Sequence, residues 1–344
     1  MGATGNVGTS VVEALGSDDR INEIVGIARR PPDWAPPKTR FVTADVTADL
    51  LAPHFEGSDA VVHLAWLFQP THAPTVTWQA NVLGSIRVFE AVAAAGVPVL
   101  IHASSIGAYS PGPADGAAVD ESWPTHSLPT AGYGREKAYV ERVLDIFERD
   151  HPAVRVVRFR PAFIFKRASA TSQRRLFMGP FLPNGLLRPG RVPLLPYPQG
   201  LRLQALHSDD VADAYVRAVT SDVRGAFNLA ADPVLDGPAL AKILGARAVA
   251  LPRPLVRAAL ATAWHAHLVP ADPNLFDLAL ELPVIDTRRA RTELGWEPRR
   301  AAHEAIREML EGLAEGAGGP TAPLAPDRAG RRLAEVGKGV GERP

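Results

Sequence analysis

Apolar residues in the first 165 positions come in short runs, divided by stretches of helical spacing. Ile24–Ala28, Arg40–Thr43, Ala60–Leu64, Val99–Ala103 and Val154–Phe159 are compact, and several are rich in β-branched residues, which predicts buried strands. Between them, Val7–Leu15, Gln79–Ala95 and Tyr133–Glu148 repeat apolar positions every three or four residues and predict amphipathic helices. Strand–helix alternation of this kind predicts an α/β fold with a doubly wound parallel sheet. Residues 165–206 break the pattern: they are rich in Pro, Gly and Arg and have no period, as in a loop-rich segment covering a site. Asp209–Val219 resumes a helix, Ala226–Ala230 reads as a short strand, and residues 236–313 look mainly helical. From Gly316 to residue 344 the composition shifts to Gly, Pro, Ala and charge, which predicts a disordered tail.

The sequence opens on glycines at G-x-x-G-x-x-G spacing, Gly2-Ala3-Thr4-Gly5-Asn6-Val7-Gly8, directly before the first predicted helix. Such glycines allow a tight turn, close approach of backbone to a pyrophosphate, and close packing of the helix on the sheet. The helix N-terminus would then offer N–H groups to an anion. The strand that should precede the loop is missing, and only Met1 stands in its place. That strand would be the central one, so the natural protein is expected to begin several residues upstream with an apolar run.

Composition narrows the picture. The 344 residues are 46% hydrophobic and 22% charged, with zero formal net charge, which argues against nucleic acid as a partner. There is no cysteine, so disulfides, thiolate catalysis and cysteine–zinc sites are excluded, and a cytoplasmic location is expected. No apolar run approaches the ~18 residues that suggest a membrane span. His63, His102 and His207 follow no metal-ligand spacing and read as structural, so no metal is expected.

Two constellations carry chemistry. The second strand ends in Arg29-Arg30, and the place 20 residues after Gly8, where an acid would bind the ribose of NAD, is alanine. Two arginines suit a 2′-phosphate, so NADP is favoured over NAD. Tyr133 and Lys137 stand four apart on a predicted helix, hence on one face, where an ammonium would lower the phenol pKa. Ser104-Ser105 follows the strand Val99–Ala103, at the carboxyl end where open α/β sheets place their sites.

Taken in order, these motifs resemble the extended short-chain dehydrogenases/reductases, the NAD-dependent epimerase/dehydratase family. The resemblance covers about residues 2–300. It rests on the glycine loop, Ala44-Asp45-Val46, Val61-Val62-His63-Leu64-Ala65, Asn81-Val82-Leu83-Gly84, Ser104–Tyr109, the Tyr133/Lys137 pair, Arg160-Pro161, His207–Ala212 and Glu293–Pro298. It implies an NAD(P)-binding Rossmann domain over 1–165 and 207–230, and a substrate-binding region over 166–206 and 231–315. Cofactor contacts are implied for Gly2, Gly5, Asn6, Val7, Gly8, Arg29, Arg30, Asp45, Val46, Leu64, Ala65, Asn81, Tyr133, Lys137 and Pro161. Ser105, Tyr133 and Lys137 are the implied catalytic set, with Tyr133 as general acid/base.

The departures from the family pattern also inform. Ile106 and Gly107 stand where dehydratases of the family carry Asp-Glu, which disfavours dehydration. Ala162-Phe163-Ile164-Phe165 replaces the Asn and Val-Tyr-Gly of sugar-nucleotide members, and Trp66 replaces a small residue. Against this, residues 151–207 hold ten Arg or Lys and no acid, which points to an anionic substrate. The expected function is NAD(P)-dependent oxidoreduction or epimerisation at a carbinol or carbonyl carbon. The alternatives are a nucleotide-sugar epimerase that retains NAD and a non-catalytic NADP-binding sensor. A homodimer is an expectation.

Overall fold

The computed structural model of the protein describes residues 1–327 and 329–342. Its main sheet is parallel. Strand Val99–Ala103 lies between Val61–His63 and Arg155–Pro161, and Gly225–Leu229 extends the sheet beyond the latter. On the other side Ile24–Ala28 pairs with Thr39–Thr43. Met1 and Gly2 bridge the two halves. Gly2 N–H donates to Ile27 O at 3.1 Å, Leu64 N–H donates to Met1 O at 3.0 Å, and the Met1 amino group donates to Val62 O at 2.9 Å. The central strand position, expected to be missing, is therefore held by Met1–Gly2. Burial there pushes the Met1 amino group down to about 5.

Alternation along the strands sorts the core into two layers. Leu100 and Val156, paired across the sheet, pack with Val88, Phe89, Val140 and Leu144 of helices Gly84–Ala94 and Gly132–Asp150. Their neighbours Ile101 and Val157 point the other way, to Val11, Leu15, Val211 and Tyr215 of helices Asn6–Gly16 and Ser208–Val219. Helices on both faces of a parallel sheet are the doubly wound arrangement that the alternation predicts.

The remaining residues form a second layer of structure. Phe163–Phe165, Leu203–His207 and Ala231–Leu235 make a small sheet. The loop-rich segment contains a strand after all: Leu194–Pro198 pairs in parallel with Arg247–Leu251, in a two-stranded sheet where its prolines are tolerated. Helices Arg253–His265 and Pro273–Glu281 lie against each other. Over its described part, the segment expected as a disordered tail carries a short helical turn at Ala322–Leu324 and a helix over Ala329–Lys338. Its anchor is charge: the buried Arg174 donates to Glu335 at 2.9 Å and lies 3.5 Å from Asp327, while Thr321 Oγ1 donates to Thr4 O at 2.7 Å. Composition hid these contacts because their partners lie elsewhere in the chain. Of the expected tail, residues 328, 343 and 344 lie outside the described residues.

Candidate active site

A cavity of about 650 Å³ opens at the carboxyl ends of the parallel strands. Every residue that the resemblance implicated lines it: Gly2, Gly5, Asn6, Val7, Gly8, Arg29, Arg30, Asp45, Val46, Leu64, Ala65, Asn81, Ser105, Tyr133, Lys137 and Pro161. The strands supply the floor because each ends at the same edge of one parallel sheet.

The glycines build the cradle for distinct reasons. Gly2 has φ +76°, and a Cβ there would lie 2.7 Å from Ala65 N. A Cβ on Gly8 would run into Gly2 O and Ala3, so the helix could not pack this closely. Gly5 caps helix Asn6–Gly16, and no side chain caps that helix in its place. The first N–H groups of the helix are left to an anion from outside, which is the chemistry of a dinucleotide's pyrophosphate. Exposed Arg29 and Arg30 lie on the same lining with Asp45, at the ends of the neighbouring strands. This donor set fits a nicotinamide dinucleotide.

At the centre, Ser105 Oγ accepts from Gly107 N–H at 3.0 Å, and Ser105 and Tyr133 share the cavity lining. Helix Gly132–Asp150 places Tyr133 and Lys137 one turn apart on the cavity side. The electrostatics differ from expectation. Burial pushes the Tyr133 phenol up to about 12, with nearby Ser105 working against it. Lys137 does not lower it: its ammonium donates to Ala103 O at 2.7 Å and lies 3.3 Å from the centre of the Trp66 ring. Burial also drives Lys137 well below the usual lysine range, which Glu136 and Glu141 only partly offset.

Asn81 lines the cavity, and its amide is engaged within the protein. Its Oδ1 accepts from Leu67 N–H at 2.7 Å, and its Nδ2 donates to Leu67 O at 2.8 Å and to Glu136 at 2.7 Å. With its amide so engaged, Asn81 holds the segment after strand Val61–His63. Buried Glu136, which also accepts from Thr77 Oγ1 at 2.7 Å, is the anchor that sequence reading missed. A carboxylate inside the Tyr–Lys spacing was the available signal.

Most of the ten cations of residues 151–207 face away from the cavity. Arg158 and Arg160 bind buried Glu141, Arg155 donates to Ala218 O and Val223 O, and Lys166 donates to Thr9 and Ser10. Of the ten, Arg175 lines the cavity. The expectation of an anionic substrate loses this support, because the charge is consumed by structural carboxylates and carbonyls. His63 and His102 are buried in the sheet, ring to ring at 5.4 Å, with His63 bonded to Ser85 Oγ at 2.9 Å.

A parallel sheet in this strand order, with a glycine cradle at its carboxyl edge, defines a Rossmann-type dinucleotide-binding protein. The chain belongs to the NAD dependent epimerase/dehydratase family, whose profile matches residues 1–230. It is thus an enzyme of the extended short-chain dehydrogenase/reductase type. An uncharacterised protein of Mycobacterium tuberculosis is 26% identical over 283 residues, spanning 80% of this chain and 72% of its own length. An L-arabinose 1-dehydrogenase (NAD(P)(+)) of Haloferax volcanii is 39% identical over 105 residues, 30% of this chain and 39% of that one. Among solved structures, Thermus thermophilus UDP-glucose 4-epimerase in complex with NAD matches with a TM-score of 0.66 at 20% identity, over 91% of this chain and 97% of that chain. Stenotrophomonas maltophila UDP-glucose-4-epimerase, with bound NAD and formylated UDP-arabinopyranose, matches with a TM-score of 0.68 at 19% identity, over 91% and 96%. At these identities the structural likeness speaks for the fold.

Proposed function

We propose that the protein transfers hydride between a nicotinamide dinucleotide and a carbinol or carbonyl carbon held at Ser105 and Tyr133. The observation that carries this reading is that Ser105, Tyr133 and Lys137 line the same cavity as the glycine cradle, with Tyr133 and Lys137 one helical turn apart. Residues 1–165 and 207–230 serve the dinucleotide, and 166–206 with 231–315 serve the substrate. Reduction adds one hydride from the bound reduced cofactor to the carbonyl carbon and one proton to its oxygen; oxidation is the reverse. Tyr133 holds that proton. With its phenol pushed up to about 12, it is protonated at neutral pH and poised to donate. Ser105 orients the oxygen, and Lys137, on the same helix face, binds the ribose side of the nicotinamide.

The finer cofactor choice follows from Arg29 and Arg30. They favour NADP, because a guanidinium can pair with the 2′-phosphate through charge-assisted hydrogen bonds. The test of the chemistry is Tyr133→Phe, which keeps the ring and removes the proton. Turnover should fall by about 10²–10⁴-fold while the cofactor Kd, read by titration, stays near wild type. Full activity in this variant would overturn the reading.

A further inference from the structure

Past Tyr133 the cavity changes character. Phe68 stacks on the Tyr133 ring, with centroids 5.1 Å apart and planes 15° apart, and Phe177 meets Phe68 edge-on at 6.1 Å. Helix Arg253–His265 adds Leu260 to the lining, and helix Pro273–Glu281 adds Leu275 and Phe276. Charge is scarce here. Among the described lining residues the one acid is Asp45, beside Arg29 and Arg30 at the opposite end. Arg175, the cation at this end, is buried and donates to Pro323 O at 2.7 Å, and its own carbonyl accepts from Gln69 at 3.0 Å.

We infer that the substrate is an uncharged, flat apolar ketone or the matching secondary alcohol, aromatic or alicyclic, with its body against Phe68, Phe177 and Phe276. The inference rests on the hydride-transfer reading above and names the class of molecule that the site takes. A nucleotide diphosphate would bring charged phosphates into a lining whose cation at this end, Arg175, already donates to Pro323 O, and taking them out of water against that single guanidinium costs more than stacking returns. A flat apolar body loses nothing on leaving water and gains aromatic contact on the faces of Phe68 and Phe177. Trp66 adds to the same wall, 6.0 Å from Tyr133 and edge-on to it. The aromatic faces flank the proton donor, so a ketone lying on them brings its oxygen to Tyr133.

The test uses the full chain with saturating NADPH, and 1-tetralone and UDP-glucose as probes. Binding is read without chemistry, as saturable change in tryptophan fluorescence, and turnover is read as NADPH consumption. The expected result is saturable binding of 1-tetralone with a Kd at least about tenfold below that of UDP-glucose, together with NADPH consumption on 1-tetralone, whose carbonyl accepts the hydride. Phe177→Lys and, separately, Leu275→Glu should each raise KM for 1-tetralone about tenfold with the NADPH Kd unchanged, the latter reporting an intact fold. Absence of saturable 1-tetralone binding overturns the inference, whatever turns over. Turnover that survives Tyr133→Phe overturns the chemistry instead and leaves the binding result standing.

Discussion

Helix Gly132–Asp150 carries two buried polar clusters, and they are built on opposite terms. Glu141 is fully buried and fully paired: Arg160 binds it through two nitrogens at 2.9 Å, Arg158 at 3.0 Å and Ser104 Oγ at 2.6 Å. Burial alone would raise its carboxyl, but Arg160 and Arg158 outweigh that and hold it at about 2. One turn earlier, Lys137 is almost as buried, yet it meets one carbonyl and one indole face. The difference separates holding from working. A charge whose partners are all internal fixes one geometry, whereas a buried charge short of partners costs stability and is retained for what it meets from outside.

Removing Glu141 should have the largest effect on stability. Glu141→Ala leaves two buried guanidinium groups without their carboxylate and should cost about 3–5 kcal/mol, read by denaturant melts. A loss below 1 kcal/mol would mean that Asp145 and Glu148, which also contact Arg158, can take over the pairing. At the cofactor end the contrast sharpens in binding rather than folding. Changing Arg29 and Arg30 together to Ala should weaken NADP by about 1.5–3 kcal/mol per lost phosphate contact and leave NAD and the melting temperature alone. Equal NADP and NAD affinities in the unaltered protein would show that these arginines are only solvated charges.

The buried histidines extend the comparison to pH. Burial holds His63 at about 3, below its ordinary 6.5, so the folded protein refuses a proton that the unfolded chain accepts. Stability is therefore complete above about pH 6.5 and falls as pH drops toward 3, with His63 accounting for about 2 kcal/mol between pH 7 and 5. His63→Gln should flatten that part of the pH–melting profile. The smallest effect has the opposite sign. Lys137→Met removes an under-paired ammonium and should gain about 1 kcal/mol of stability while cofactor binding and turnover are lost. If it destabilised the fold as strongly as Glu141→Ala, the two clusters would not differ in kind.

What the sequence determined by itself was local and periodic. The strand Val99–Ala103 and the helix spacing of Tyr133 and Lys137 could be read because strands and helices repeat every two and 3.6 residues, and short-range sterics impose those periods. The glycine loop could be read because Gly2 and Gly8 sit where a Cβ would strike backbone. Tertiary structure alone decided where the charges went. The ten cations of residues 151–207 looked like a field for an anion until Glu141, Glu335, Glu315 and backbone carbonyls from distant segments took most of them up. It also decided that Trp66 covers Lys137, that burial rather than the lysine governs Tyr133, and that Glu335 and Thr321 tie down a segment with the composition of a disordered tail. Burial and pairing depend on neighbours tens to hundreds of residues away, and no local period records which neighbours those are.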